Sequence, residues 1–131
     1  YLSAQFLGGV SGTILANLMF TSDVAVYSTI NRATNANFLG EFIATVDLLL
    51  IILLSIEHGR SSAIAYLVPA WIGSAYFSTV STSFANPAIT LARSFSANST
   101  GINLTSTAAF IAVQLVGGAC ALGLVKVLAK K

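Results

Sequence analysis

Apolar runs without charge alternate with short polar stretches along most of the chain. Tyr1 to Phe20 holds no charged residue over twenty positions, enough for a helix to cross a hydrocarbon core about 30 Å thick. Thr21 to Asn37 is polar, with Asp23 and Arg32 among Ser, Thr and Asn, and is expected as a loop outside the bilayer. A second span is expected from Phe38 to Ile56, followed by the tight polar turn Glu57 to Ser62 that sends the next helix back. Ser61 to Ala92 is then uncharged for thirty-two residues, too long for one untilted span, and Ser78 to Ser83 interrupts it. The simplest division places a third span at Ala63 to Thr79, with Pro69 as a candidate kink, before a short turn. Ser94 to Thr107 is polar again, with Gly101 as breaker, and Ala108 to Leu128 is the fourth span, trailed by the basic residues Lys126, Lys130 and Lys131.

Between the third and fourth spans lies Ser81 to Phe95, around which the other segments are arranged. Asn86 suits a helix N-cap and Pro87 its first turn, so a short helix is expected from Asn86 to about Phe95. Nine or so residues reach only roughly 13 Å, which enters a membrane halfway. Such an end leaves backbone N–H groups and a positive dipole end facing whatever lies beyond its tip, and it is tolerated only where it lines a cavity or a pathway.

Composition agrees with a membrane chain. Hydrophobic residues make up 56% and charged residues 8% of 131 positions, and the mean hydropathy is +0.85; so little charge cannot coat a soluble globule of this size. The net charge of +2 is scattered rather than gathered in a stripe, which argues against nucleic-acid binding. Cys120 stands alone in an apolar run and has no disulfide partner. His58 lacks a second ligand, and the sequence offers neither a nucleophile-base pair nor a phosphate loop, so no catalysis, metal or cofactor is expected. Two sequons, Asn98-Ser99-Thr100 and Asn103-Leu104-Thr105, matter only on a eukaryotic secretory route.

Two acids fall within the second span, where charge is costly and calls for a reason. Glu41 is either an interfacial residue at a helix end or a buried carboxylate accepting hydrogen bonds from irregular backbone, which a re-entrant half-helix would supply. Asp47 is expected to face the bundle or a wet cavity. Lys126, Lys130, Lys131 and Arg60 fall on one side and Arg32 alone on the other, which puts the C-terminus and the Glu57 to Ser62 turn in the cytoplasm. The half-helix then dips in from outside.

The first and fourth spans share a pattern. Residues 1 to 9 align without gaps on 110 to 118, matching Gln5 with Gln114 and Gly8-Gly9 with Gly117-Gly118. Four alternating crossings would make the two copies inverted, the mark of an inverted-repeat channel or transporter. Gly8, Gly9 and Gly12 also predict a face that a neighbouring helix approaches closely.

Asn86-Pro87-Ala88 on a half-helix, with a preceding Glu-Phe-Ile-Ala-Thr span and a following Gln-Leu-Val-Gly-Gly span, resembles the aquaporin (major intrinsic protein) family over essentially the whole chain. The resemblance implies an all-α integral membrane protein, an inverted-repeat helical bundle represented here by four transmembrane helices and one re-entrant half-helix, in a single partial channel domain. The absence of an initiator Met and of a first Asn-Pro-Ala leads to the expectation of further chain upstream, with a partner motif some two dozen residues before Tyr1. By resemblance, Asn86 bonds permeating water and Glu41 anchors the re-entrant loop. Family members usually carry the filter Arg directly after this Asn-Pro-Ala, whereas Ile89 stands there and Arg93 follows one turn later. Arg93 is a candidate for a more external filter site, with the alternative of a helix-dipole or headgroup contact; Ser83 and Ser74 are further filter candidates by position. The implied function is passive passage of water or small uncharged solutes through each protomer of a homotetramer in the plasma membrane. A glycerol or metalloid-hydroxide facilitator and a non-conducting membrane scaffold are the alternatives.

Overall fold

The computed structural model describes residues 1–24, 26–96 and 98–129. Among them the secondary structure is helical throughout: α1 (Leu2–Met19), α2 (Asn35–Glu57), α3 (Ile64–Ser78), α4 (Pro87–Arg93) and α5 (Leu104–Leu128), with a 3-10 turn at Ser61–Ala63 before α3. Of these, α1, α2 and α5 are long and apolar enough to cross a membrane. Helix α3 has 15 residues, about 22 Å of rise, so the third apolar segment is shorter as a helix than the others. Lys130 and Lys131, two of the three lysines in the expected basic tail, lie outside the described residues.

Helix ends follow capping chemistry more closely than they follow the onset of apolar sequence. Helix α5 starts four residues before Ala108 because Asn103 precedes it and its Oδ1 accepts the Ser106 N–H at 2.8 Å. Thr107 Oγ1 donates back to the Asn103 carbonyl at 3.0 Å, which lets polar residues occupy the first turn. Helix α4 stops at Arg93, two residues short of Phe95, where Ser94 turns its Oγ onto the Leu91 carbonyl at 2.7 Å.

The chain divides into two compact units, Tyr1–Thr34 with Asn86–Ile111, and Asn35–Ala85 with Ala112–Lys131. In the first, α1 packs against α4 through small residues. A Cβ added at Gly9 would lie 3.2 Å from the Ala92 Cβ and 3.5 Å from the Ala88 carbonyl oxygen, so glycine is what lets the two backbones close. A Cβ added at Gly8 or Gly12, by contrast, would meet nothing within 4 Å among the described residues. The polar segment before Thr34 is not simply a solvated loop. Ser28 N–H donates to the Ser94 carbonyl at 2.8 Å and Asn103 N–H to the Ile30 carbonyl at 2.8 Å, laying residues 28–32 along the stretch after α4.

In the second unit, α3 folds back onto α2. Gly117 of α5 meets α2 so closely that a Cβ there would lie 3.2 Å from both the Phe42 carbonyl oxygen and the Thr45 Cβ. Gly40 gives the segment after α3 a similar approach, with Ser81 N and Oγ both 3.4 Å from its would-be Cβ.

Candidate functional site

Glu41 is fully buried on α2. Its carboxylate accepts the Phe84 N–H at 3.2 Å, the Ala85 N–H, and the Gln114 Nε2–H at 2.8 Å. The donors come from a backbone segment that needs such support. Thr82, Ser83 and Ala85 have φ of 60°, 53° and 47°, a left-handed conformation that costs non-glycine residues roughly 1–2 kcal/mol each. A turn of this kind can point successive N–H groups at an anion, and here the Phe84 and Ala85 N–H groups both point at Glu41. The Ser81 Oγ, accepting the Ser83 N–H at 3.2 Å, fastens the same loop. The backbone leading into Asn86 is therefore held by the buried Glu41 carboxylate together with the Ser81 hydroxyl.

In the other unit, Asn86 is the N-cap of α4, with φ −154° and ψ 123°. Its Oδ1 accepts the Ala88 N–H at 2.8 Å. With the oxygen fixed on the helix, Nδ2 is turned away from it and donates to no group among the described residues, leaving two amide protons free to bond an outside acceptor. The Asn86 carbonyl receives Thr90 twice, from its N–H and its Oγ1, both at 2.9 Å. Pro87 occupies the first helical position, where the missing N–H costs nothing. Ala88 is buried beneath α1, at the place where Gly9 comes close. The three residues of the tripeptide thus differ in what they do, as a cap that presents donors, a helix start and a small buried contact.

Ile89 is 40% exposed and, with Arg93 one turn later, lines a cavity of about 320 Å³ that Gly8, Gly12 and Thr13 also border. The two residues whose order is unusual for the family pattern thus share one wall. Arg93 ends α4, and its guanidinium Nη1–H donates to Thr100 Oγ1. Thr100 is itself fixed by Asn98, whose Oδ1 accepts the Thr100 N–H at 2.9 Å and Oγ1–H at 2.6 Å. Ser83 belongs to the left-handed loop and its Oγ is buried without a hydrogen-bond partner among the described residues. Ser74 is on α3, where it borders a separate hollow together with Asp47.

Two side chains with clear structural work were not singled out by sequence pattern. Arg32 is 9% exposed and donates through Nε to the Gly101 carbonyl at 2.8 Å and through Nη2 to the Ser99 carbonyl at 2.9 Å, while its backbone N–H reaches Ser106 Oγ at 3.0 Å. Asn17, 1% exposed on α1, donates from Nδ2 to the Phe95 carbonyl at 2.8 Å just past α4. The available signals were a polar Asn deep in an otherwise apolar helix and a single Arg in an otherwise lightly charged loop.

The chain is 41% identical over 126 residues to aquaglyceroporin AqpS of Rhizobium meliloti (strain 1021), a match covering 96% of this chain and 54% of that protein. Over these residues the chain is similar to a member of the aquaporin family. It spans about half the length of the curated relative it matches. No family model matches the chain, and no solved structure matches it. The match and the apolar helices make it an integral membrane protein.

Proposed function

We propose that the protein is a membrane channel through which water and small uncharged solutes pass passively. The observation that carries the reading is Asn86: its oxygen is committed to capping α4 while its two amide protons are left to bond a permeating oxygen. A solute that gives up a hydration partner at Asn86 regains one there, whereas an ion finds too few ligands to replace its shell. The positive end of α4 adds to the barrier against cations.

The relative's name, aquaglyceroporin, favours glycerol among the solutes. An apolar Ile89 beside a tethered Arg93 supports this, because an aliphatic wall suits the carbon side of a polyol while the guanidinium and Thr100 offer polar contacts on the other. In this reading Arg93, Ile89 and the candidates Ser83 and Ser74 shape selectivity, and Glu41 supports the loop before Asn86. Four protomers would assemble in the plasma membrane, with the C-terminus in the cytoplasm and α4 entering from outside.

Osmotic swelling of vesicles containing the protein tests the reading. A channel makes swelling in water and in glycerol faster than in protein-free vesicles. Rates equal to the protein-free control would leave a membrane scaffold as the function.

A further inference from the structure

We propose that Arg32 is a positioning residue for selectivity: it holds Thr100 in the place from which Thr100 sets the direction of the Arg93 guanidinium, and so acts on the discrimination between glycerol and water. The proposal rests on the channel reading above and extends it to a residue of the loop after α1. The buried side chain of Arg32 donates to two carbonyls, to Ser99 through Nη2 at 2.9 Å and to Gly101 through Nε at 2.8 Å. These carbonyls flank Thr100, and the Gly101 N–H closes a turn onto the Asn98 carbonyl at 3.0 Å. A guanidinium presents its donors as a rigid planar fork, so attachment at two points fixes the orientation of the turn as well as its place. Arg32 is itself anchored. Its backbone N–H donates to Ser106 Oγ at 3.0 Å in the first turn of α5, and the Asn103 N–H donates to the Ile30 carbonyl at 2.8 Å.

Within the turn the Thr100 hydroxyl is already oriented. Its O–H donates to Asn98 Oδ1 at 2.6 Å, and the Thr100 N–H donates to the same oxygen at 2.9 Å. With its proton committed to Asn98, the hydroxyl oxygen turns its lone pairs outward and accepts the Arg93 Nη1–H. Arg93 and Asn98 both border the cavity that Ile89 lines. A long, rotamer-rich side chain offers its remaining donors to a solute in one geometry only when its head is tied, and that preorganisation is what discriminates between solutes. The contacts therefore run from the first turn of α5 through Arg32 and Thr100 to Arg93, and all these residues lie in the first unit.

The test measures glycerol and water permeability in vesicles holding equal amounts of folded protein. Arg32→Met should lower the ratio of glycerol to water permeability several-fold, in the direction expected of Arg93→Val. In an Arg93→Val background the same substitution should leave the ratio where Arg93→Val alone sets it, because no guanidinium remains to be positioned. A purely structural role would lower stability in both backgrounds and leave the ratio of folded Arg32→Met at the wild-type value, which would overturn the proposal. Equal losses in the two backgrounds would also overturn it, since Arg32 would then act independently of Arg93. Arg32→Lys keeps the charge but not the fork and should lower the ratio as well; a wild-type ratio there would assign the effect to charge and contradict positioning. Thr100→Val keeps the shape of the side chain and removes the hydroxyl, so it carries the test if Arg32→Met folds poorly, with a lowered ratio expected and an unchanged one overturning the proposal. Wild-type vesicles that pass neither water nor glycerol would instead refute the channel reading.

Discussion

Glu41 accepts three hydrogen bonds: two from the backbone of the left-handed loop and one from Gln114. Removing the acceptor strands each donor at a cost of about 1–3 kcal/mol, so Glu41→Ala should lower yield and thermal stability while leaving the solute preference of the surviving protein unchanged. A well-folded Glu41→Ala protein with altered selectivity would place the carboxylate in the path instead. Gly101 is a second residue with no tolerance. A Cβ there would collide with Ser28 Oγ and sit 2.6 Å from the Ser96 carbonyl oxygen. Backbone cannot yield as a flexible side chain can, and overpacking of this kind costs about 1–3 kcal/mol. Gly101→Ala should therefore reduce the melting temperature in detergent, whereas Gly123→Ala, with nothing within 4 Å of its added Cβ, should not.

Helix α4 has 7 residues, so its ends matter more than its middle. Its N-terminus depends on Asn86 and Pro87, its packing on Ala88 and Ala92 against Gly9, and its C-terminus on the Asn17 bond to Phe95 and the Arg93 bond to Thr100. The N-terminal features were legible in the sequence because capping is local: Asn-Pro specifies a helix start with little help from elsewhere. Glu41 was legible because a charge within an apolar span demands an explanation. Arg32 and Asn17 were not, since their partners lie 67 to 78 residues away along the chain and no local pattern encodes such a pairing. The start of α5 lies ahead of the apolar run for a related reason, as hydrophobicity begins at Ala108 but the cap at Asn103 begins the helix. Arg93 divides its roles in an experiment. Arg93→Val removes the charge, the Thr100 bond and the polar contact offered to a polyol, and if the residue lines the path, the glycerol-to-water ratio should fall several-fold in folded protein. An unchanged ratio with lower stability would assign Arg93 to holding residues 98–100.

For the whole molecule, the Gln5 and Gln114 repeats sit in different units. Gln114 is committed to the Glu41 carboxylate, and Gly117 rather than Gly118 makes the closest approach to α2. In the first copy it is Gly9, the counterpart of Gly118, that meets its neighbour closely. The motif therefore repeats as sequence with a different glycine at each contact. What both copies keep is the means, a missing side chain that lets a long helix approach another backbone.

In the proposed channel Asn86 both caps α4 and presents donors to the permeating molecule, and a single substitution separates those roles. Asn86→Asp retains an oxygen for the Ala88 N–H but has no amide protons, so α4 should still form. Asn86→Ala loses both, at about 0.5–2 kcal/mol of helix-cap stability. The decisive measurement is stopped-flow water permeability of vesicles holding equal amounts of folded wild-type and Asn86→Asp protein. Flux should be fast in the wild type and at least several-fold slower in Asn86→Asp at unchanged thermal stability. Equal flux from the two folded proteins would contradict a donor role for Asn86 in permeation.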